Sequence, residues 1–502
     1  MAGIQRLLSS FVRFIAVLAL FATPICLHGQ AAIESDEAVM TQHTVTPNGM
    51  PLHYTARTGY LSLRDEQNQV HGRIFYVSYT MESSEPRPLI FIWNGGPGSN
   101  AALLELGAIG PRRIRQKDET VKGNPTLVDN GDTWLRFADL VFVDPIFTGY
   151  SYATTPEFQK DFLSDTGDAE SIAEFIRLFR ARYQTQVAPL YLMGESYGTY
   201  RAVGVADILL RRKIPVSGIL LLSTVLNFTS NPDLSAAFLL PNYAAAAFAQ
   251  HKLDDAHQKD LAATVAEAQA WAETTYVADL IQGDRLLEAE KKAAATKLAA
   301  LTGVDSELWE KADLRLSPDA FAVDVLDPKG LRFVGHYDTR VVGKLSHPGQ
   351  PYDVDADPSL DNGVDAAIIP YLRNELGWKS DAFYAGPFGG RWPTPVTPRG
   401  DWTSIRWNRA GGSPDRSQVL ATSLRSAPQL RIFLASGYFD FSTPFVSSEY
   451  AISHLGLSPE ARKRVELVRY QGGHAAYMTS TVRAEFSRDA AAFISGKTPA
   501  HQ

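Results

Sequence analysis

Leu190-Tyr191-Leu192-Met193-Gly194-Glu195-Ser196-Tyr197-Gly198 is the stretch that decides the fold. Its four apolar residues predict a buried strand, and the next five have the pattern Gly-x-Ser-x-Gly. In such an elbow the chain turns sharply from strand into helix, and the glycines prevent clashes while the serine Oγ is exposed at the sheet edge. Ser196 is therefore the predicted nucleophile. The pattern also occurs by chance in loops, so it needs support from other features.

A second apolar run lies upstream and ends in a glycine-rich turn. Pro88-Leu89-Ile90-Phe91-Ile92-Trp93 predicts a buried strand that leads into Asn94-Gly95-Gly96-Pro97-Gly98-Ser99. A glycine pair at a strand exit lets backbone N–H groups turn inward, as an oxyanion hole requires. Gly-Pro-Gly alone is equally typical of a simple tight turn. Ahead of an elbow serine, we interpret it as one wall of an oxyanion hole.

Candidates for the acid and the base follow the serine in chain order. Leu430 to Gly437 predicts a strand with Asp440 just beyond it, and Val465 to Tyr470 predicts another that leads into Gln471-Gly472-Gly473-His474. Both side chains leave loops after strands, at the sheet edge where Ser196 lies. Asp144 also ends a predicted strand and is the alternative acid, but it precedes the serine. The other downstream histidines do not follow a predicted strand and a glycine pair; they are His251, His257, His336, His347, His454 and His501.

Hydrophobic periodicity organises the rest of the chain. Up to residue 228, predicted strands alternate with helices, which is typical of a doubly wound α/β sheet; the segments are strands 51–64, 72–80, 139–144 and 216–226 and a helix at 166–183. From about 229 to 427 the pattern changes to helical segments rich in Ala, Glu and Lys at 255–302 and to Pro- and Gly-rich stretches such as 386–400. This region predicts a long insertion that covers the catalytic edge as a lid or cap.

Five motifs occur in a fixed order between about residues 88 and 478. They are Trp93 to Ser99, Asp144-Pro145 with Thr148 to Tyr152, Gly194 to Gly198, Ser436-Gly437 with Asp440-Phe441, and Gly472-Gly473-His474. In this combination the chain resembles the serine carboxypeptidase family, a branch of the α/β-hydrolases. The resemblance implies an α/β-hydrolase fold, whose mostly parallel sheet has a large insertion between the half with the nucleophile and the half with the acid and base. We expect a signal peptide at 1–31, core segments at 32–228 and 428–502, and a cap at 229–427.

The resemblance also implies a role for each candidate residue. Ser196 attacks the scissile carbonyl, His474 acts as general base and then acid, and Asp440 orients the imidazole. The backbone N–H groups of Gly96 and Tyr197 hold the tetrahedral oxyanion. The expected substrate is a peptide with a free C-terminus, and the expected reaction is serine-type hydrolysis of its C-terminal residue.

Two further residues match family positions that bind the substrate's C-terminal carboxylate, namely Asn94 and Glu195. A carboxyl group donates a hydrogen bond to a carboxylate only while it is protonated, so this role predicts a raised pKa for Glu195. The other interpretation of Glu195 is a buried residue tied to a local backbone group. The chain departs from the family at Ala108, where a second glutamate is usual, and this puts the preference for free acids in doubt. Arg112 and Arg113 are either replacement carboxylate ligands or solvated surface charges.

Composition and the N-terminus bound the remaining possibilities. The chain has 502 residues, 45% of them hydrophobic, and a net charge of −7. No basic patch argues for nucleic acid or an anionic membrane. Arg6 and Arg13, an apolar core from Phe14 to Leu27 and small residues near Ala31 predict a signal peptide, export to the periplasm or medium, and no stable membrane association afterwards. An uncleaved anchor is the other interpretation.

Cys26, the only cysteine, falls inside the predicted signal peptide. The mature chain would then have neither a disulfide nor a thiolate metal site, and we expect no metal and no cofactor. Two other functions stay open. The same acyl-enzyme chemistry supports an esterase or acyltransferase, and a catalytically silent peptide-binding protein can share the scaffold.

Overall fold

The computed structural model describes residues 36, 38–115, 126–228, 231–326, 331–347, 349–350, 352, 357–360, 363–386 and 415–497. The predicted signal peptide at 1–31 and nearly all of 386–400 lie outside these residues. Met1–Glu37, of which only Asp36 is described, is one unit, and the residues from Ala38 onward belong to a second compact unit. No helix in the described ranges is long and apolar enough to cross a membrane.

A mixed sheet forms the centre of the second unit. In the described part of the chain, the strands are β1 (Val39–Val45), β2 (Leu52–Arg64), β3 (Val70–Thr80), β4 (Leu89–Trp93), β5 (Arg112–Ile114), β6 (Leu127–Asp129), β7 (Asp139–Val143), β8 (Tyr152–Ala153), β9 (Leu190–Glu195), β10 (Gly218–Leu222), β11 (Arg332–Val334), β12 (Val342–Lys344), β13 (Arg431–Gly437) and β14 (Val465–Tyr470). The sheet order is β1-β2-β3-β7-β4-β9-β10-β13-β14, and β8 pairs with β3. The strands β1, β2, β3 and β7 pair antiparallel, whereas β7, β4, β9, β10, β13 and β14 pair parallel.

Strand side chains alternate between two hydrophobic cores, one on each face of the sheet. Ile90 and Ile92 of β4 lie in one core, whereas Leu89 and Phe91 lie in the other. The same alternation holds along β7, β9 and β10, which explains why these strands are continuously apolar: both faces are covered. Because the parallel strands run in the same direction, their carboxyl ends lie together at one edge of the sheet.

Helices cover both faces and fill the region between β10 and β13. The α-helices in the described residues are Ala102–Leu104, Asp165–Arg182, Tyr197–Arg211, Pro232–Ala249, Leu261–Trp271, Val277–Gln282, Glu288–Thr302, Ser306–Lys311, Pro318–Asp324, Val364–Asn374, Arg416–Ser426, Phe445–Ser453, Pro459–Arg462 and Ser480–Ile494. Two π-helical turns occur at Glu105–Ile109 and Ala272–Tyr276, and Ala476–Met478 forms a 3₁₀ turn.

The predicted doubly wound, mostly parallel α/β-hydrolase architecture is confirmed. The strand predicted at 216–226 is shorter than expected, because it ends at Leu222 before Ser223, whose φ of 52° leaves the extended region. Between Leu222 and Arg431 the described residues add no strand to the main sheet, in keeping with an insertion. The domain boundaries predicted from the sequence stay predictions.

Candidate active site

Ser196 joins β9 to the helix Tyr197–Arg211 in a strained conformation. Its φ of 56° and ψ of −128° lie outside the regions that ordinary side chains prefer. A Cβ at Gly194 would lie 2.0 Å from the carbonyl oxygen of Gly198, so the elbow requires glycine there. The Ser196 N–H donates to the Leu222 carbonyl at 2.9 Å, which fixes the turn to the end of β10. Ser196 therefore stands at the carboxyl edge of the sheet, where the sequence placed it.

His474 and Asp440 lie together, in the arrangement that the sequence predicted. The His474 Nδ1 is 2.8 Å from the Asp440 Oδ2, and Asp440 is fully buried. The Asp440 Oδ1 accepts from the N–H groups of Ser442 and Thr443, at 2.8 and 3.0 Å, and the Thr443 hydroxyl donates to Oδ2 at 2.5 Å. Because an ionised carboxylate only accepts hydrogen bonds, Nδ1 carries the hydrogen and Nε2 is left to act as a base.

The backbone of His474 is anchored from two sides. Its N–H donates to the Tyr337 carbonyl at 2.6 Å, and its carbonyl accepts from the Ser223 hydroxyl at 2.6 Å. Gly473 allows this approach, because a Cβ there would lie 2.2 Å from the Tyr337 oxygen. Ser223 directly follows Leu222, the residue that accepts from the Ser196 N–H. The end of β10 thus fixes both the nucleophile turn and the histidine loop.

The pKa of His474 reflects opposing effects. Burial lowers this pKa, but the charge of Asp440, its hydrogen bond and the charge of Glu195 raise it by more, so that the net shift is upward. If His474 takes the Ser196 proton, the resulting His474 imidazolium is therefore stabilised by the neighbouring carboxylates.

The glycine turn after β4 packs directly against the elbow. Gly96 has a φ of 97°, and a Cβ on it would lie 2.7 Å from the Gly98 nitrogen. A Cβ on Gly95 would lie 2.6 Å from the Tyr197 nitrogen. The Trp93 indole N–H donates to the Gly198 carbonyl at 2.9 Å. The segments that carry the two expected oxyanion donors, at Gly96 and Tyr197, are therefore held in contact.

A buried ion pair that the sequence did not reveal braces this contact. The Arg201 Nε lies 2.8 Å from the Asp168 Oδ2, and both side chains are almost fully buried. Asp168 also accepts from the Tyr197 hydroxyl at 3.0 Å, and Arg201 donates to the Asn94 carbonyl at 2.9 Å. Because the pair bonds to residues of both the elbow and the glycine turn, it fixes their separation. Removing either partner would leave an uncompensated buried charge.

Glu195 and Asn94 meet beside the nucleophile. Glu195 is buried, and Asn94 donates through Nδ2 to its Oε2. The Tyr477 hydroxyl lies 3.1 and 2.9 Å from the two Glu195 oxygens. Burial raises the pKa of Glu195 to about 7, although the His474 charge and the Tyr477 and Asn94 hydrogen bonds act to lower it. Glu195 is thus bonded to two side chains, which differs from the alternative of a tie to local backbone.

Ala108, where the family usually has a second glutamate, and the two arginines that follow it lie in different surroundings. Ala108 is buried in the π-helical turn Glu105–Ile109. Arg112 forms ion pairs with Asp129 and Glu375, at 2.5 and 3.1 Å. Arg113 donates to the adjacent Ile114 carbonyl at 3.2 Å. Arg112 is partly buried and paired with two carboxylates of the protein, which differs from a solvated surface charge.

Glu105, which the sequence did not single out, and Asp144 are two further buried carboxyl groups. Glu105 accepts from the Tyr79 hydroxyl at 2.5 Å, and burial raises its pKa to about 8. Asp144, the alternative acid, accepts from the Ala101 N–H at 2.9 Å, and burial raises its pKa to about 7. Asp440, and not Asp144, is the carboxylate that bonds to His474.

No group of three or more His, Cys, Asp or Glu side chains in the described ranges is placed to hold a metal ion. Of the side chains around the site, sequence reasoning missed Thr443, Tyr477 and the Asp168–Arg201 pair. Thr443 and Tyr477 each follow a candidate site residue, Asp440 or His474, by three positions, but a polar residue at that spacing does not by itself identify a partner.

Comparison with known proteins shows similarity to one family over the first part of the chain. A model of the family described as serine carboxypeptidase matches residues 47–292. Serine carboxypeptidase-like 13 of Arabidopsis thaliana is 32% identical over 151 residues, which cover 29% of this chain and 34% of that protein. The pheromone-processing carboxypeptidase KEX1 of Tuber melanosporum is also 32% identical over 151 residues, which cover 22% of its length. The matches thus span about a third or less of these relatives.

A solved structure extends the likeness over most of the chain. The prohormone-processing carboxypeptidase KEX1(Δ)P of Saccharomyces cerevisiae aligns with a TM-score of 0.54 and 17% identity, and covers 88% of this chain and 91% of that one. At this identity the match supports the fold alone. The residues matched by the family model include the glycine turn after β4 and the elbow at Ser196. Residues 47–292, which include both motifs, are thus similar to the serine carboxypeptidase family.

Proposed function

We propose that this protein is an exported serine-type carboxypeptidase, which hydrolyses the C-terminal residue of peptides with Ser196, His474 and Asp440 as its catalytic residues. The observation that carries the proposal is Glu195, a buried carboxyl group next to the nucleophile whose pKa of about 7 keeps it protonated below neutrality. A protonated carboxyl group can donate a hydrogen bond to a substrate carboxylate. An endopeptidase or a simple esterase has no need of such a group.

Acylation begins with the transfer of the Ser196 hydroxyl proton to the His474 Nε2. The Ser196 Oγ forms a bond to the scissile carbonyl carbon, and the N–H groups of Gly96 and Tyr197 donate to the resulting oxyanion. The C–N bond then breaks, and His474 gives its proton to the departing amino acid nitrogen. Asp440 remains ionised throughout and stabilises the imidazolium.

Deacylation repeats these steps with water as the nucleophile. His474 takes a proton from water, the hydroxide oxygen adds to the acyl carbon, and the ester bond to Ser196 breaks as the serine recovers its proton. The histidine must be neutral at the start of each half-reaction. Since neighbouring carboxylates raise its pKa, we propose that hydrolysis of substrates without a free carboxylate increases as the pH rises past the His474 pKa.

Substrate binding places the leaving residue next to Asn94 and Glu195. The Asn94 amide and the protonated Glu195 both donate hydrogen bonds to the free carboxylate, which fixes the last peptide bond over Ser196. Because position 108 is alanine, the second glutamate that would bind the substrate carboxylate together with Glu195 is missing. The preference for free acids therefore depends on Glu195 and its partners.

The region from 229 to 427 is proposed as a cap that completes the site. Asn242 donates to the Asp440 carbonyl at 2.9 Å, and the Tyr337 carbonyl accepts from the His474 N–H. Segments of this region thus contact both members of the acid–base pair, and we propose that they also shape the side-chain pockets. Export through a signal peptide at residues 1–31 belongs to the same proposal.

The proposal is tested with blocked dipeptides that end in either a free acid or an amide. We expect release of the C-terminal amino acid from the acid, detected by mass spectrometry, and a lower kcat/KM for the amide at pH 6. Ser196→Ala is the control for contaminating peptidases. Equal cleavage of acid and amide would replace the proposal with a general amidase or esterase. Failure of Ser196 to react with a fluorophosphonate label would favour a silent peptide-binding protein.

A further inference from the structure

The Tyr477 side chain is a buried partner of Glu195 that comes from the histidine loop. It lies in the 3₁₀ turn Ala476–Met478, with 1% of its surface exposed. Its hydroxyl is within hydrogen-bond distance of both carboxyl oxygens of Glu195, at 3.1 and 2.9 Å. Asn94 donates to the same carboxyl group. Three side chains from separate parts of the chain thus converge beside the nucleophile.

The phenol ring occupies space next to the residue where the second clamp glutamate is missing. A Cβ on Gly107 would lie 3.2 Å from the Tyr477 Cε2 and 2.8 Å from the Met478 Sδ, so a larger residue there would require these side chains to shift. Ala108 follows Gly107 directly, is buried, and belongs to the same hydrophobic core as Tyr477. A small residue at position 108 and a large polar one at position 477 therefore occur together.

The hydroxyl of Tyr477 keeps its proton, and so remains a hydrogen-bond donor, through neutral and mildly alkaline pH. Burial, together with the neighbouring Glu195 charge, raises the pKa of Tyr477 well above its usual value of 10.0. A second glutamate would supply a donor only while protonated, whereas this phenol keeps its proton. Its hydrogen bond stabilises the ionised form of Glu195, and so lowers the Glu195 pKa from the value that burial alone would give.

We infer that Tyr477 is a positioning residue for recognition of the C-terminal carboxylate, and that its hydroxyl takes the place of the carboxyl group absent at Ala108 by orienting Glu195 toward the substrate. This inference rests on the proposed carboxypeptidase function. In this inference Tyr477 acts through Glu195. Loss of its hydroxyl should therefore affect the cleavage of free-acid substrates, and should change KM more than kcat.

Tyr477→Phe tests the inference, because it keeps the ring that packs on Gly107 and removes only the hydroxyl. With a matched peptide acid and amide, we expect the acid/amide ratio of kcat/KM at pH 6 to fall about tenfold, mainly through KM for the acid. Without the donor, the Glu195 pKa rises, and the alkaline limb of the acid profile should move to higher pH. A loss of packing alone would not move that limb.

Tyr470→Phe is the matched control. Tyr470 is another buried tyrosine, three residues before Gly473, and its hydroxyl donates to Asp489 at 3.0 Å. We expect this variant to keep the wild-type acid/amide ratio and pH profile. An equal loss in both variants would show a general effect of removing buried hydroxyl groups and would overturn the inference.

Ala108→Glu gives a second test that leaves Tyr477 in place. The sequence alone predicts that this substitution strengthens the preference for free acids. With Tyr477 already bonded to Glu195, we expect a gain of less than about threefold in wild type, but recovery of about tenfold in the Tyr477→Phe background, a non-additive result. A tenfold gain in the presence of Tyr477 would contradict the inference, even if Tyr477→Phe did not fold.

The two proposals fail in different ways. If wild type cleaves the acid and the amide equally, the carboxypeptidase function itself is wrong. If wild type prefers the acid and Tyr477→Phe keeps the same ratio and the same alkaline limb, only the role of Tyr477 is wrong.

Discussion

Replacing Glu195 with glutamine should separate the pH dependence of carboxylate recognition from that of the chemistry. The pKa of about 7 means that wild-type Glu195 is mostly protonated at pH 6. Above neutrality its protonated fraction falls about tenfold for each pH unit, to roughly 3% at pH 8.5. If binding requires this proton, the acid/amide ratio of kcat/KM falls roughly 30-fold between pH 6 and 8.5. The ratio is informative because the titration of His474 affects both substrates and cancels.

In Glu195→Gln the donor no longer titrates, so the ratio should change less than about threefold over the same range. A second effect follows from charge. Because the Glu195 carboxylate raises the pKa of His474, its removal should move the acidic limb of amide hydrolysis to lower pH.

The assay is kcat/KM for a matched peptide acid and amide at half-unit pH steps, at constant ionic strength. Glu466→Gln is the control, since burial also raises the pKa of Glu466, but this residue pairs with Arg431 near the opposite end of β14. The control should reproduce the wild-type ratio at every pH. A wild-type ratio that stays constant from pH 6 to 8.5 would refute the assignment of Glu195 as the titrating ligand.

Three further outcomes can be measured on single variants. Ser196→Ala, His474→Ala and the double variant should be about equally inactive, since residues that act as a unit lose function together; full turnover by folded Ser196→Ala would disprove the nucleophile. Asp440→Asn should lower kcat roughly 10⁴-fold with the fold intact, whereas a dead Asp144→Asn beside a normal Asp440→Asn would reverse the choice of acid. The raised pKa of Glu105, about 8, implies stability that is present below pH 4.5 and is lost as the pH rises through 8. In urea titrations, the free energy of unfolding of Glu105→Gln should fall with rising pH by up to roughly 4–5 kcal/mol less than that of wild type. If the two proteins gave the same dependence of stability on pH, Glu105 would ionise normally.

The sequence predicted those features that depend on local chain chemistry. The elbow at Ser196 needs glycines four residues apart after an apolar run, and this requirement is visible in nine consecutive residues. Asp440 and His474 were identified because each follows a strand, and parallel strands end at one edge. The antiparallel start of the sheet carried no such signal, because alternating apolar residues fit either strand direction.

Contacts between distant side chains could not be predicted in this way. Arg201 meets Asp168, 33 positions away, across the packing of two helices. Tyr477 and Glu195 are 282 positions apart. Each partner is an ordinary residue in its own segment, so its role becomes visible only when the fold brings the pair together.

Under the proposed function, burial of Glu195 decides whether the site can bind the substrate's C-terminal carboxylate. Glu195 and His474 influence each other's pKa, so the state with neutral Glu195 and neutral His474 competes with the state in which Glu195 has lost its proton and His474 has gained one. Both states hold the same number of protons, but only the neutral pair offers a donor to the substrate and a base to Ser196.

Exclusion of water favours the neutral pair, because it penalises two charges, whereas the hydrogen bonds from Asn94 and Tyr477 favour the carboxylate. With 2% of Glu195 exposed, burial is the largest effect on its pKa. A variant that admits water to this carboxyl group should therefore lose peptide-acid cleavage at neutral pH, even with every named hydrogen-bond partner still present.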